Sequence, residues 1–403
     1  MQIDSALTRA PNRFITVRFS LVTLLSIGLL SACGDSSSVE PEARIVEGVD
    51  FSELFAPPSS SEINTIMNDW AGRDVSAQAV LQVATSPVSI GSFQATLRVV
   101  SHNVNGAQHF GAILVPAGAQ AGSLPVLVFA HGGDDGLNLD ATLSLLPFLL
   151  GNLASQFVFI APSFRSEALV FQGTEFLSGG EPSPWDHDVD DALALLNVAL
   201  ETTTEADPNR IGVLGFSRGA CVGLLMAERD PRIDLVVEFF GPTDFFGPFV
   251  QDVVEEALRG GLRDLPGLNH LNDQFIQPLR SGQLSIEDMR LELLRRSPVN
   301  FGGRLPDLQV HHGTADGTVP VGEAERLIEV MQGLGRGEPE FEFHLYQGGG
   351  HDPLTLPNSL DRARTFLGRL LSPPSPGIGC RLPACVTGYR PGITSSGTFV
   401  TSP

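Results

Sequence analysis

Ile211-Gly212-Val213-Leu214-Gly215-Phe216-Ser217-Arg218-Gly219 joins an apolar run to the start of an apolar helix-like segment, Ala220-Cys221-Val222-Gly223-Leu224-Leu225. A continuous apolar run such as 211–214 suits a strand buried on both faces of a parallel sheet. A serine placed between such a strand and a helix sits on a sharp turn that projects its hydroxyl from the sheet edge. The backbone there tolerates only small residues two positions to either side, which accounts for Gly215 and Gly219. The helix start behind the serine offers N–H groups and the positive end of the helix dipole to an oxyanion formed on attack. Ser217 is therefore the candidate nucleophile.

A serine hydroxyl attacks poorly until a base takes its proton, and the base must itself be oriented. Two downstream loops supply these groups in the order serine, acid, histidine. The strand expected at 308–311 runs into His312-Gly313-Thr314-Ala315-Asp316, and the strand expected at 341–346 runs into Gln347-Gly348-Gly349-Gly350-His351-Asp352. Three loops at one sheet edge thus bring Ser217, Asp316 and His351 towards a common point. Asp244, after the strand that follows the elbow, is the alternative acid. Asp352 is too close in sequence to His351 to orient it. His102 and His109 fall on or beside early strands, and His311 and His344 fall within strands. His187 sits among acids before a helix, His270 lies in the 245–298 segment, and His312 reads as a structural hydrogen-bonder.

Upstream, Pro125-Val126-Leu127-Val128-Phe129-Ala130 reads as another buried strand and ends in His131-Gly132-Gly133. A loop there can bring Gly133 N–H beside that of Arg218 as the two oxyanion donors. Strands are expected at 94–101, 107–115, 157–161 and 235–240, and helices at 139–153, 189–200, 321–332 and 360–371. This alternation predicts an α/β fold: a mostly parallel central sheet with helices on both faces. Residues 245–298 break the alternation with helical patterns at 250–262 and 286–294. They are expected to form a cap over the carboxyl ends of the strands, with Phe245, Phe246 and Phe249 shaping an apolar pocket. Asp186, Asp188 and Asp190 have the spacing of a calcium loop's first ligands. Asp191 and Asn197 stand where that loop needs Gly and Glu, so the run is read as an acidic helix cap. Asp134 and Asp135 are expected as solvated turn acids.

The chain has 403 residues, is 42% hydrophobic, and carries 25 basic against 46 acidic residues for a net charge of −21. That charge disfavours nucleic acid and anionic surfaces as partners. Every basic residue is Arg, so lysine Schiff-base, pyridoxal and phosphate-loop chemistry are excluded. Serine-based acyl transfer needs no cofactor, and no metal is expected, since no pair of cysteines has the C-x-x-C spacing of a zinc or redox site. Arg9, Arg13 and Arg18 precede an apolar run at 19–30, too short for a stable span, that leads to Leu30-Ser31-Ala32-Cys33. This resembles a bacterial lipoprotein signal. It implies a signal peptide at 1–32, an acylated Cys33, and an exported protein held by lipid, with the outer membrane facing the periplasm as its expected place. Residues 33–60 are expected as a flexible tether, 61–372 as the catalytic domain, and 373–403 as a Pro/Gly/Ser-rich tail. Cys380 and Cys385 can close a small disulfide loop in an oxidising compartment, and Cys221 is expected as a buried thiol.

His131-Gly132-Gly133, Gly215 to Gly219, His312-Gly313 with Asp316 and Val319-Pro320, and Gly349-Gly350-His351-Asp352 together resemble the prolyl oligopeptidase catalytic domain. They resemble equally its esterase relatives within the α/β-hydrolase superfamily, including dienelactone-hydrolase-like proteins. Trp185 with Asp188, Val189 and Asp191-Ala192-Leu193 fits the helix before the elbow, and the likeness spans about residues 94–371. It implies Ser217 as nucleophile, His351 as base, Asp316 as its orienter, and Gly133 with Arg218 as oxyanion donors. The chain departs from the pattern in having Ala220 where a glycine often follows the elbow. It also has only about 60 residues between Cys33 and Gln94, too few for a peptide-filtering propeller. The substrate implied is a small ester or a short peptide. A binding lipoprotein that kept the fold without turnover is the alternative of a different class.

Overall fold

The computed structural model describes residues 43–372. Its frame is a nine-stranded sheet: β1 (Gln78–Ile90), β2 (Phe93–Val104), β3 (Ala107–Pro116), β4 (Leu124–Ala130), β5 (Val158–Pro162), β6 (Ala206–Phe216), β7 (Ile233–Phe239), β8 (Asp307–Gly313) and β9 (Phe341–Tyr346). In space they run β9-β8-β7-β6-β4-β5-β3-β2-β1. The first three strands form an antiparallel meander joined to β5, and the strands from β5 to β9 are parallel. Parallel strands need long crossovers, and here helices supply most of them.

Alternate side chains of the central strands feed two cores. Val126 and Val128 of β4 and Ile211 and Val213 of β6 face one core, shared with α3 (His187–Thr202) and α4 (Arg218–Arg229). Leu127, Phe129 and Leu214 face the other, shared with α2 (Leu139–Leu150) and α8 (Ser359–Leu367). Period-two alternation within a run that is apolar throughout is what a sheet covered on both faces requires. The sheet with helices on both sides is the α/β architecture expected from the sequence.

Residues 245–298 are helical, as expected. They comprise α5 (Pro248–Leu258), a single turn at Leu268–Leu271, a π-helical turn at Asn272–Ile276, a turn at Gln277–Arg280, and α6 (Ile286–Leu294). Helix α5 ends earlier than the expected 262, because Arg259-Gly260-Gly261 follows it and Gly260 has φ +87°. Helix α7 (Gly322–Gly333) then leads towards β9.

Three differences from expectation have physical causes. Ordered structure begins before residue 60: Ile45–Val46 pairs with Val49–Asp50, and Phe51–Leu54 forms a helical turn. Phe51 and Leu54 are buried in the core, and Arg290 of the cap hydrogen-bonds the carbonyls of Glu53, Leu54 and Ala56. Residues 43–60 therefore belong to the folded body, followed by α1 (Ser60–Gly72) with its Ser59–Glu62 capping box. Strand β1 was not expected because its side chains are mostly exposed at the sheet edge and give no apolar face to read. On β9, Phe341, Phe343 and Leu345 alternate with polar residues as an apolar face does, yet that face is only partly covered because β9 is the opposite edge strand: Phe341 is buried, whereas Phe343 and Leu345 are 40% and 37% exposed.

Candidate active site

The elbow takes the conformation its glycines permit. Ser217 has φ +53°, and its N–H donates to Phe239 O at 2.9 Å. A Cβ on Gly215 would overlap the Gly219 carbonyl, and one on Gly219 would overlap the Ala130 carbonyl. Neither position has room for any side chain. Helix α4 starts at Arg218, so its first N–H groups have no partner within the helix.

The structure brings Ser217, His351 and Asp316 together. His351 Nε2 lies 2.9 Å from Ser217 Oγ, and His351 Nδ1 lies 2.7 Å from Asp316 Oδ2. Burial would raise the Asp316 carboxyl, but hydrogen bonds from His351 and from the Thr318 and Val319 N–H groups hold it below its usual range. An ionised carboxylate can only accept, so Nδ1–H donates to it and Nε2 is left to accept the serine proton. The acid and histidine loops are tied by backbone: Thr314 N–H donates to Tyr346 O and Ala315 N–H to Gly349 O. His312 Nε2–H donates to Val319 O at 2.8 Å and braces the acid loop, the structural part expected of it. Asp244 faces elsewhere; it accepts from Phe246 N–H and lies 3.5 Å from Arg326. Asp352 accepts from Leu354 N–H.

Gly133 has φ +78° and follows Gly132, where a Cβ would press on Phe216 O and Ser217 Cβ at 3.1 and 3.2 Å. The loop holding one expected oxyanion donor thus packs directly on the elbow holding the other. A buried arginine joins them. Arg218 forks onto Asp188 Oδ2 with Nε at 2.9 Å and Nη2 at 2.8 Å, pairs with Glu167, and donates through Nη1 to Gly133 O at 3.2 Å. Its guanidinium also lies over the Phe164 ring. Asp188 Oδ2 accepts from Trp185 N–H as well, which links the elbow to the wall of the cavity described below. Burial lifts Glu167 to about 7, although the Arg218 charge pulls against it. His131 is buried, stacked on Phe164, and lowered by burial to about 4, so it is neutral.

The acidic run at 186–191 is not the simple helix cap expected. Asp186 makes no side-chain capping bond. All four aspartates are buried on arginine partners: Asp186 on Arg73, Asp188 on Arg218, Asp190 on Arg73 and Arg229, and Asp191 on Arg165. Asp134 is not only a turn acid, since it accepts from Gly267 N–H of the cap at 3.1 Å. Glu167 and the four-way engagement of Arg218 escaped sequence reading, because their partners lie 30 to 85 residues away and carry no local spacing.

Beside Ser217 lies a cavity of about 70 Å³. Phe245, Phe249, Val253, Leu268, Phe275 and Met289 line it. Phe246, expected with them, instead packs under the Arg290 guanidinium. Cys221 is a buried thiol, raised by burial. Cys33, Cys380 and Cys385 lie outside the described residues. Among the described residues no helix is long and apolar enough to cross a membrane, and no three His, Cys, Asp or Glu side chains gather as a metal site.

The molecule has the α/β-hydrolase fold. Acetyl xylan esterase 1 from a Thermoanaerobacterium species superposes with a TM-score of 0.55 at 18% identity, covering 80% of this chain and 99% of that one. An acetyl xylan esterase from a Paenibacillus species gives 0.55 at 17% identity with the same coverages. At such identities the likeness is one of fold. No family model matches the chain, and no curated protein matches it.

Proposed function

We propose that this chain is a serine esterase that cleaves small carboxylic esters through an acyl-enzyme on Ser217. The observation that carries the reading is the unbroken relay from Ser217 Oγ through His351 to Asp316, opening onto an apolar cavity under the cap. His351 takes the serine proton as Oγ attacks the carbonyl. Asp316 holds the ring and stabilises the imidazolium, and the N–H groups of Arg218 and Gly133 receive the oxyanion. The imidazolium then protonates the leaving alcohol. Water, deprotonated by His351, releases the acid and restores the serine. An apolar cavity with few polar groups suits an acyl chain better than a peptide backbone, whose N–H and C=O groups would go unpaired there. The names of the two structural neighbours, both esterases, accord with ester cleavage; acetylated xylan is carried forward only as a substrate to try.

A fluorophosphonate should label the protein and fail to label Ser217→Ala. Hydrolysis of p-nitrophenyl esters but not of aminoacyl or prolyl nitroanilides is the expected pattern. Labelling that survives Ser217→Ala removes the nucleophile assignment, and faster cleavage of the anilides would make the protein a peptidase. The proposal extends to export with acylation at Cys33: in a bacterial host, radiolabelled palmitate should enter the protein and be absent from Cys33→Ser.

A further inference from the structure

The cavity beside Ser217 shares part of its wall with a neighbour. Phe275 and Glu292 line it, and both also line a second, wider cavity of about 540 Å³. The two cavities differ in chemistry. The inner one is walled by apolar side chains from α5, α6 and the turn at Leu268–Leu271, whereas the outer one is lined by Arg165, Asp186, His187, His270 and Arg296. Phe275 sits in the π-helical turn Asn272–Ile276, a local geometry that recurs at functional sites. Its ring is held from the polar side, with the Arg296 guanidinium 5.2 Å from the centroid and the His270 ring edge-on at 5.7 Å. One aromatic ring and one carboxylate side chain are therefore common to the walls of an apolar chamber at the nucleophile and of a charged cavity.

We propose that the inner chamber binds the acyl chain of the ester and that Phe275 sets the length it accepts, favouring acids of about four to six carbons. This rests on the reading of Ser217 as nucleophile. A water needs about 15 Å³ of such space, so about 70 Å³ accommodates roughly five water-sized groups beyond the carbonyl. Each methylene that enters raises affinity about fourfold until the chamber is full. A longer chain must displace Phe275 into a cavity whose charged walls give a methylene nothing, or leave its end in water.

The test has two arms. In the first, kcat/KM is measured on p-nitrophenyl esters of even-numbered acids from acetate to dodecanoate, and on acetates of alcohols of matching length. The expected result is a rise to butyrate or hexanoate, a drop of at least tenfold by decanoate, and little dependence on the alcohol. Phe275→Ala should raise the decanoate-to-butyrate ratio at least tenfold. A wild-type optimum at decanoate or beyond, or a length dependence that follows the alcohol, overturns the proposal even if the variant does not fold. In the second arm, Ser217→Ala is titrated with methyl ketones of increasing length, followed by the fluorescence of Trp185, which lines the chamber. Affinity should climb about fourfold per methylene and then stop, and in the variant that also carries Phe275→Ala the climb should continue. A smooth climb with no stop removes Phe275 as the gauge. If the stop is seen but the wild type cleaves no ester and takes no fluorophosphonate, the esterase reading falls while the length gauge stands.

Discussion

Asp316 and Asp244 both follow parallel strands beyond the elbow, and spacing alone separates them poorly. The difference is one of direction. Asp316 points an ionised oxygen at His351 Nδ1 while its other oxygen accepts Thr318 and Val319 N–H, so the carboxylate is fixed at both ends. Asparagine there can present its NH₂ to Nδ1 and favour the wrong tautomer, leaving Nε2 protonated towards the serine. Asp316→Asn should therefore lower kcat by about 10⁴ with little change in fluorophosphonate-site folding. Asp244→Asn should stay within about tenfold, because its own contacts are with Phe246 N–H and Arg326. Steady-state kinetics on p-nitrophenyl butyrate decide it, and the reverse ranking would move the acid to position 244.

At the level of elements, the sequence showed the parts whose signal is local. Buried parallel strands are continuous apolar runs, and the elbow needs glycine where helix, strand and loop backbones nearly touch. Both are visible one residue at a time. The lashing between elements is not. Arg218 reaches Asp188 on α3, Glu167 after β5 and the Gly133 carbonyl after β4, and no periodicity joins those positions. The packed segment at 45–54 escaped for a related reason, since it is held by distant partners such as Arg290, and the edge strand β1 escaped because its mostly exposed side chains carry no apolar pattern. The Arg218 clamp yields its own prediction. Removing one partner of a buried ion pair leaves the others charged and unpaired, at a cost of about 3–5 kcal/mol. Arg218→Ala should be destabilised by that order in urea unfolding. Its kcat should drop about 10²-fold as the Gly133 loop loosens, with KM changing less. Arg218→Lys should not restore kcat, because an ammonium cannot fork onto Asp188 and also reach Glu167 and Gly133. If the lysine variant has wild-type kcat, the clamp does not position the oxyanion loop.

For the molecule as a whole, the pH dependence of stability follows from groups buried away from the relay. Burial lifts Glu238 to about 8 against the pull of the Gly241 N–H, and lifts Glu323 to about 7 against the N–H groups of Thr243 and Asp244. Glu167 is raised to about 7 in the same way. The unfolded chain releases these protons near pH 4.3, so from there up to about 8 the native state binds more protons and stability falls as pH rises. Buried histidines act with the opposite slope over the lower part of that range. His102 and His131 are lowered to about 4 and His109 to about 3, chiefly by burial, so the unfolded state binds more protons below about 6.5 and stability rises with pH up to there. From 6.5 to 8.5 that opposition fades as the unfolded-state imidazoles lose the rest of their protons, the carboxyls dominate, and the net charge of −21 adds repulsion of the same sign unless salt screens it. Urea unfolding in 0.5 M salt should therefore give a stability lower at pH 8.5 than at 6.5 by on the order of 2 kcal/mol. Glu238→Gln keeps an acceptor for Gly241 N–H and has no proton to lose. It should match the wild type near pH 6.5 and exceed it at pH 8.5, where Glu238 is fully buried and charged. Equal stability of the wild type at the two pH values, or a Glu238→Gln difference that does not grow with pH, would mean that these carboxyls reach solvent and titrate as ordinary surface acids.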